Sequence, residues 1–218
     1  MLSAVMQATR PAHPPPTLSA RDLEFSWPNG VTLWTRLSLD IPPGVSLIQG
    51  AEGSGKSSLL KLLAGDLSPR QGSLTIGDVS LVAQPQTYRQ QVFRTDPRGA
   101  ALDGFTPSTW FDAMSRRYPD FRLAALPDLV EGFSLNPHLH KSMYMLSTGS
   151  QRKVWLCAAF AACTAVTLLD EPFAALDMPS IRFLKQCLQD AAQHPTRAWV
   201  LADHEAPEGL AIACTIQV

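Results

Sequence analysis

Gly50-Ala51-Glu52-Gly53-Ser54-Gly55-Lys56-Ser57 follows the apolar stretch Val45-Ser46-Leu47-Ile48-Gln49 and precedes a leucine-rich run from Leu59 to Leu63. This stretch decides the reading of the chain. The octapeptide fits the pattern GxxxxGK[ST], and its flanks supply the strand before and the helix after that the pattern requires. Glycines let the backbone curl until successive N–H groups point inward, and the N-terminus of the following helix adds the positive end of its dipole. A loop of this kind cradles phosphate oxygens. Lys56 reaches the outer phosphates of a polyphosphate, and the Ser57 hydroxyl ligates Mg²⁺. Gly50, Glu52, Gly53, Ser54, Gly55, Lys56, Ser57 and Ser58 are the candidate nucleotide-binding residues here. The Glu52 carboxylate is expected to point to solvent, because a negative charge beside polyphosphate costs affinity.

Upstream of the loop, apolar residues alternate over Leu18–Trp27 and Val31–Ile41, separated by the turn signal Pro28-Asn29-Gly30. They read as two antiparallel strands. Pro42-Pro43-Gly44 turns the chain into Val45–Gln49, and Lys56–Leu63 reads as the helix after the loop, with Leu74–Val82 a further strand. Between Gln84 and Leu146 the texture shifts to Pro, Arg, aromatic and helix-forming residues. This predicts a mainly helical insertion with helices over Ser108–Tyr118 and Ala124–Phe133. Beyond it, Gln151–Ala162 reads as a buried helix and Ala165–Leu169 as a buried strand. A helix follows from Met178-Pro179-Ser180 to Gln193, then strands over Ala198–Ala202 and Ile212–Val218. Strands alternating with helices after a glycine-rich loop predict an α/β fold with a mostly parallel sheet and a small antiparallel β subdomain. The expected organisation is a Pro-rich lead-in over 1–16 and one domain over 17–218, with a helical subdomain spanning 85–160.

Composition narrows the function classes. The 218 residues are 45% hydrophobic, enough for a buried core and unlike a disordered or fibrous chain. Lys and Arg total 18 against 19 Asp and Glu, so the basic excess of a nucleic-acid binder is missing. The four cysteines form no CxxC pair and read as small buried hydrophobes in a reducing compartment. The 16 uncharged residues from Val154 to Leu169 fall short of the roughly 20 that a spanning helix needs. They also divide into a helical and a strand-like half, so a soluble chain is expected.

Val166-Thr167-Leu168-Leu169-Asp170-Glu171 is an apolar strand ending in two carboxylates. Asp170, at the strand end, is placed to hold Mg²⁺ through water. Glu171, one step further, is placed to polarise a water for attack on the terminal phosphorus.

At this point the chain resembles the ATP-binding cassette (ABC) ATPases. Leu146-Ser147-Thr148-Gly149-Ser150 is similar to the family signature LSGGQ, and Gln151-Arg152-Lys153 to the polar and basic residues that follow it. The interval of 23 positions between Ser147 and Asp170 leaves room for one helix and one strand. Ala174-Ala175-Leu176-Asp177 resembles the D-loop, His204 the switch histidine, and Gln84, read after a strand Val79–Ala83, the Q-loop glutamine. Trp27 resembles the aromatic that stacks on adenine, with Phe25 competing for that role. The resemblance spans Leu18 to Glu205. It implies a P-loop NTPase core with a helical, signature-bearing subdomain, ATP and Mg²⁺ as cofactors, and Lys56, Glu171 and His204 as catalytic residues. It further implies Ser57, Gln84 and Asp170 at the metal, and Ser147 and Gly149 contacting nucleotide bound by a second cassette subunit.

Thr148 and Ser150 replace a glycine and the glutamine of the signature, and Ala174 replaces the usual D-loop serine. These departures bear on turnover and on coupling between sites rather than on nucleotide binding. The reading that follows is an ATPase closing head to tail with a second cassette, homo- or heterodimeric, and powering transport through a separate membrane-spanning subunit docked near Gln84 and the helical insertion. Its expected location is the cytoplasm, peripheral at the inner face of the membrane. Two alternatives stand beside it: a soluble assembly cassette, and a nucleotide-gated regulator of low turnover.

Overall fold

Alternation at the start of the chain builds an antiparallel sheet. β1 (Leu18–Ser26) buries Leu18, Ala20, Leu23 and Phe25, and a register shift after Ala20, with Asp22 at φ 49°, resets the alternation so that Leu23 still faces inward. β2 (Thr32–Ile41) flanks β1 on one side and β4 (Gln71–Ile76) on the other, and β5 (Val79–Ser80) pairs with β4. The computed structural model describes residues 17–27, 30, 32–96 and 103–218. The Pro-rich lead-in 1–16, Pro28 and Asn29 of the expected turn, and Val31 lie outside the described residues.

The second sheet has the order β6-β7-β8-β3-β9, every neighbouring pair parallel. Its strands are β3 (Gly44–Gln49), β6 (Val92–Arg94), β7 (Val166–Asp170), β8 (Ala198–Asp203) and β9 (Cys214–Gln217). Alternate side chains divide between two cores, as the period of two requires. Val45, Leu47, Leu169, Trp199 and Leu201 face one core, which they share with α3 (Pro107–Arg117), α4 (Leu126–Gly132), α5 (Thr148–Ala161) and α6 (Met178–Ala192). Ile48, Leu168, Val200 and Ala202 face the other, shared with α1 (Lys56–Leu63) and the inner face of the antiparallel sheet. Helix α1 therefore lies between the two sheets, with its first residue at the end of the loop that follows β3.

Two expectations change. The stretch 74–82 is not one strand: Gly77, at φ 51°, turns it into the hairpin of β4 and β5, and β5 stops at Ser80. The region after Gln84 is not wholly an insertion. Helix α2 (Pro85–Gln90) packs Tyr88 into the core beneath α1, its hydroxyl donating to Leu63 O at 2.8 Å, and β6 is a strand of the central sheet. Three residues are too few for periodicity to separate strand from helix, so only pairing with β7 identifies β6. The helical part thus begins after β6 rather than at residue 85, and carries short 3-10 turns over Leu123–Ala125, Asn136–His138 and Met143–Met145.

Candidate functional site

Because the second sheet is parallel, its strands end on one rim, which is where open α/β sheets bind ligands. β3 delivers the loop 50–55. Gly53 and Gly55 sit at φ 78° and 106°, conformations costly for any side chain, and Gly55 opens α1. Gly50 is constrained by space: a Cβ there would lie 2.4 Å from Val218 O and 2.5 Å from Ser54 Oγ. Lys56 is only 6% exposed, and its ammonium arches back over the loop to donate to Gly50 O at 2.8 Å and Ala51 O at 2.9 Å. Glu52 and Ser57 are exposed, while Ser54 and Ser58 are half-buried. A cleft of about 330 Å³ separates the loop from Glu171, with Glu52, Gly53, Gly55, Lys56, Ser57 and Ser58 on its loop side.

The neighbouring strand ends supply acid and imidazole. Asp170 closes β7, and its Oδ1 is buried without a hydrogen-bond partner among the described residues. A buried carboxylate oxygen with no protein donor suits a cation, so the donor set of Asp170 and Ser57 fits a hard metal such as Mg²⁺. Glu171 has left-handed backbone, φ 45°, yet its N–H still donates to Ala202 O at 2.9 Å, which holds it beside β8. Non-glycine residues hold such conformations where the surroundings enforce them, and such positions cluster at functional sites. β8 ends in Asp203 and leads to the exposed His204, whose carbonyl accepts from Gln49 Nε2 at 3.0 Å. Burial raises the Asp203 pKa, with the Glu171 charge pushing the same way and the His204 N–H and Lys56 opposing.

The signature and D-loop segments meet within the chain. Ser147 caps α5, its Oγ accepting from Ser150 N at 3.1 Å and donating to Ser150 Oγ at 3.0 Å. Gly149 lies against the D-loop so tightly that a Cβ would fall 2.2 Å from Ala175 O, and Ala175 itself is at φ 57°. Arg152 donates to Ala174 O, and Lys153 Nζ meets Asp177 Oδ2 at 2.6 Å. Asp177 also caps α6 by accepting from Ser180 N at 2.9 Å. The Lys153 hydrogen bond, helped by Ser180, holds its pKa down at about 2. The basic residues after Ser150 thus have a structural task, pinning the signature helix to the D-loop, that their position in the sequence did not reveal.

Phe25 is 5% exposed and belongs to the core, whereas Trp27 remains half-buried, edge-on to it at 5.2 Å and 80°. Of the two candidate stacking aromatics, Trp27 is therefore the accessible one. Gln84 is not brought to the rim. It follows β5, the outer strand of the other sheet, and serves as N-cap of α2 with its side chain exposed. The strand beside β7 is β6, so the rim position next to Asp170 belongs to Thr95 and Asp96. Trp34 was also missed: its ring sits 3.0 Å from where a Gly55 Cβ would be, bracing the loop from β2. A tryptophan at a half-buried strand position carries no mark that distinguishes bracing from ordinary packing. The four cysteines are free thiols; Cys157 is buried and the other three half-buried.

A phosphate loop, a strand-end Asp-Glu pair and a histidine on one rim, with a signature turn packed on the D-loop, define a nucleotide-hydrolysing protein of the P-loop class. A family profile described as ABC transporter matches residues 34–174. The chain belongs to the ABC transporter family, as an ATP-binding subunit with ATPase activity. It is 30% identical over 178 residues to the taurine import ATP-binding protein TauB of Pseudomonas fluorescens, covering 81% of this chain and 67% of that protein. It is 32% identical over 157 residues to the cytochrome c biogenesis ATP-binding export protein CcmA of Pseudomonas putida, covering 70% and 73%. By fold it is similar to a solved ATP-binding subunit of an ABC transporter, with TM-score 0.77 at 24% identity over 86% of this chain and 79% of the other. It is also similar to CbiO1 of Clostridium perfringens, with TM-score 0.65 at 19% identity over 88% and 79%.

Proposed function

We propose that this ATPase binds Mg²⁺–ATP with its phosphate loop, closes head to tail on a second cassette, and drives a separate membrane-spanning subunit. The observation that carries the reading is the convergence of three strand ends on one rim, bringing Glu171 across a cleft from Lys56 and Ser57. Trp27 offers an aromatic face to the base. Lys56 exchanges its loop carbonyls for the outer phosphate oxygens, and the loop N–H groups hold the rest. Ser57 and Asp170 are the residues that would hold Mg²⁺, which neutralises phosphate charge when bound. Glu171 accepts the proton of an attacking water. The oxygen bonds to the γ-phosphorus, the bond to the β-phosphate bridging oxygen breaks, and ADP and phosphate leave. His204, on the next strand end, orients the water and the γ-phosphate. Most of the rate effect comes from positioning and charge.

Ser147 and Gly149 face the nucleotide of the second cassette. The Gly149–Ala175 packing supports this, because it makes the signature turn and the D-loop one surface. Among the described residues no helix is long and apolar enough to cross a membrane, and we read the membrane path as belonging to a partner subunit. Its docking place is the cavity of about 310 Å³ between β6, α3 and α5, which offers Trp110 and Trp155 as apolar floor and Asp66, Arg94 and Arg117 as polar wall. That arrangement would place the protein at the cytoplasmic face of the membrane.

The test is Glu171→Gln. It should retain Mg²⁺–ATP binding, lose turnover, accumulate as a closed dimer in size-exclusion chromatography, and co-purify a polytopic membrane protein from detergent extracts. Dimer formation without any membrane protein would overturn the transport coupling and leave the ATPase reading standing.

A further inference from the structure

We propose that Thr95 is a positioning residue that sets the direction of the Asp170 carboxylate by inserting its side chain into the strand ladder at the end of β6. The proposal rests on the reading of Asp170 as the Mg²⁺ ligand. β6 and β7 are parallel, with Arg94 opposite Leu168. The ladder continues one bond further, from Thr95 N to Leu168 O at 3.0 Å. In a regular parallel ladder the next bond would run from Asp170 N–H to the Thr95 carbonyl. Here Asp170 N–H donates instead to Thr95 Oγ1 at 3.2 Å, while the Thr95 carbonyl is turned aside and accepts from Arg94 Nη1 at 3.2 Å. The hydroxyl itself donates toward Leu168 O at 3.5 Å. A side chain has taken the place of a main-chain acceptor at the last rung before the metal-binding carboxylate.

Three features make this more than a local irregularity. Thr95 is 4% exposed, which leaves little room for water to stand in for its hydroxyl. The substitution is anchored: Arg94, which holds the displaced carbonyl, is itself gripped by Asp66 at 2.6 Å and Asp96 at 3.1 Å. Among the described residues Asp170 Oδ1 has no donor to orient it, so the backbone at the end of β7 sets where that oxygen points. That backbone is tied on the β6 side by the Thr95 hydroxyl. Groups one step behind a metal ligand commonly change metal affinity about 10- to 100-fold when altered.

The experiment titrates Mg²⁺ against binding of a fluorescent ATP analogue to wild type, Thr95→Val and Thr95→Ser, repeats the binding in EDTA, and records Tm for each. Valine keeps the shape and removes the acceptor; serine keeps the acceptor. Thr95→Val should require on the order of tenfold more Mg²⁺ for half-maximal binding. Its affinity in EDTA should match wild type, and Thr95→Ser should restore the Mg²⁺ requirement. Should valine fail to fold, Thr95→Ala carries the same readout. An unchanged Mg²⁺ requirement without the hydroxyl overturns the proposal. So does an equal loss in EDTA, or a loss that serine does not rescue, since these mark a structural role alone. A wild type indifferent to Mg²⁺ would instead overturn the reading of Asp170, and the proposal with it.

Discussion

Lys56 is a nearly buried ammonium satisfied by two carbonyls of its own loop, so its position is set before any phosphate arrives. Removing it should weaken ATP binding by about 10- to 150-fold, the loss expected for a charge-assisted hydrogen bond worth about 1.5–3 kcal/mol. Isothermal titration of Lys56→Ala checks this. Gly149 makes a different demand. Its neighbour is the Ala175 main chain, which cannot swing aside as a side-chain tip would. Gly149→Ala should therefore force the signature turn away from the D-loop. The expected cost is about 1–3 kcal/mol, as for overpacked sites, with reduced turnover, read by thermal unfolding and an ATPase assay. The sequence pattern identified this glycine as a signature element. That its own chain already fills the space beside it became visible only when residues 149 and 175 were placed together.

At the scale of elements, the contact between α5 and α6 runs through Lys153 and Asp177. Asp177 has a folded pKa of about 2 against an ordinary 3.8. A depressed carboxylate pKa contributes stability that is fully present above the ordinary value and is lost as pH falls through that window. Acid unfolding of wild type should therefore contain a component between pH 4 and 2 that Asp177→Asn lacks. Asp177 is more than half exposed, so solvent screening keeps this component small. Denaturant unfolding of both proteins at a series of pH values measures it. Long periodic elements such as α6 were legible in the sequence, because many residues repeat the same signal, and so were the adjacent carboxylates at the end of the apolar run of β7. β6 was not, with three residues inside a stretch of helical texture. The sequence reading gives the Q-loop position to Gln84, which the structure places after β5 of the antiparallel sheet, at the start of α2.

For the whole molecule, the parallel sheet is the wall between two cores, and its strand β3, paired on both sides, contributes Leu47 to one and Ile48 to the other. Leu47→Ala should cost about 2–5 kcal/mol, as buried leucine truncations do, visible as a lower denaturant midpoint. Mg²⁺–ATP should raise the Tm of wild type by mass action, by about 2.7 kcal/mol of stabilisation at a hundredfold excess over Kd. Lys56→Ala should show much less of that shift. The comparison separates damage to the site from damage to the fold, because Leu47→Ala should keep the ligand-induced rise from a lower baseline.

The sequence by itself determined the α/β class, the phosphate loop with its strand and helix, the acidic strand end and the family. Each is written in contiguous residues whose spacing and backbone preference carry the meaning. Tertiary structure alone decided that Thr95 rather than Gln84 stands beside Asp170, that Trp34 braces Gly55, and that Gly149, Arg152 and Lys153 clamp the D-loop. Those relations join residues 21 to 75 positions apart. Their geometry comes from which strands pair and which faces pack, and local propensity does not encode it.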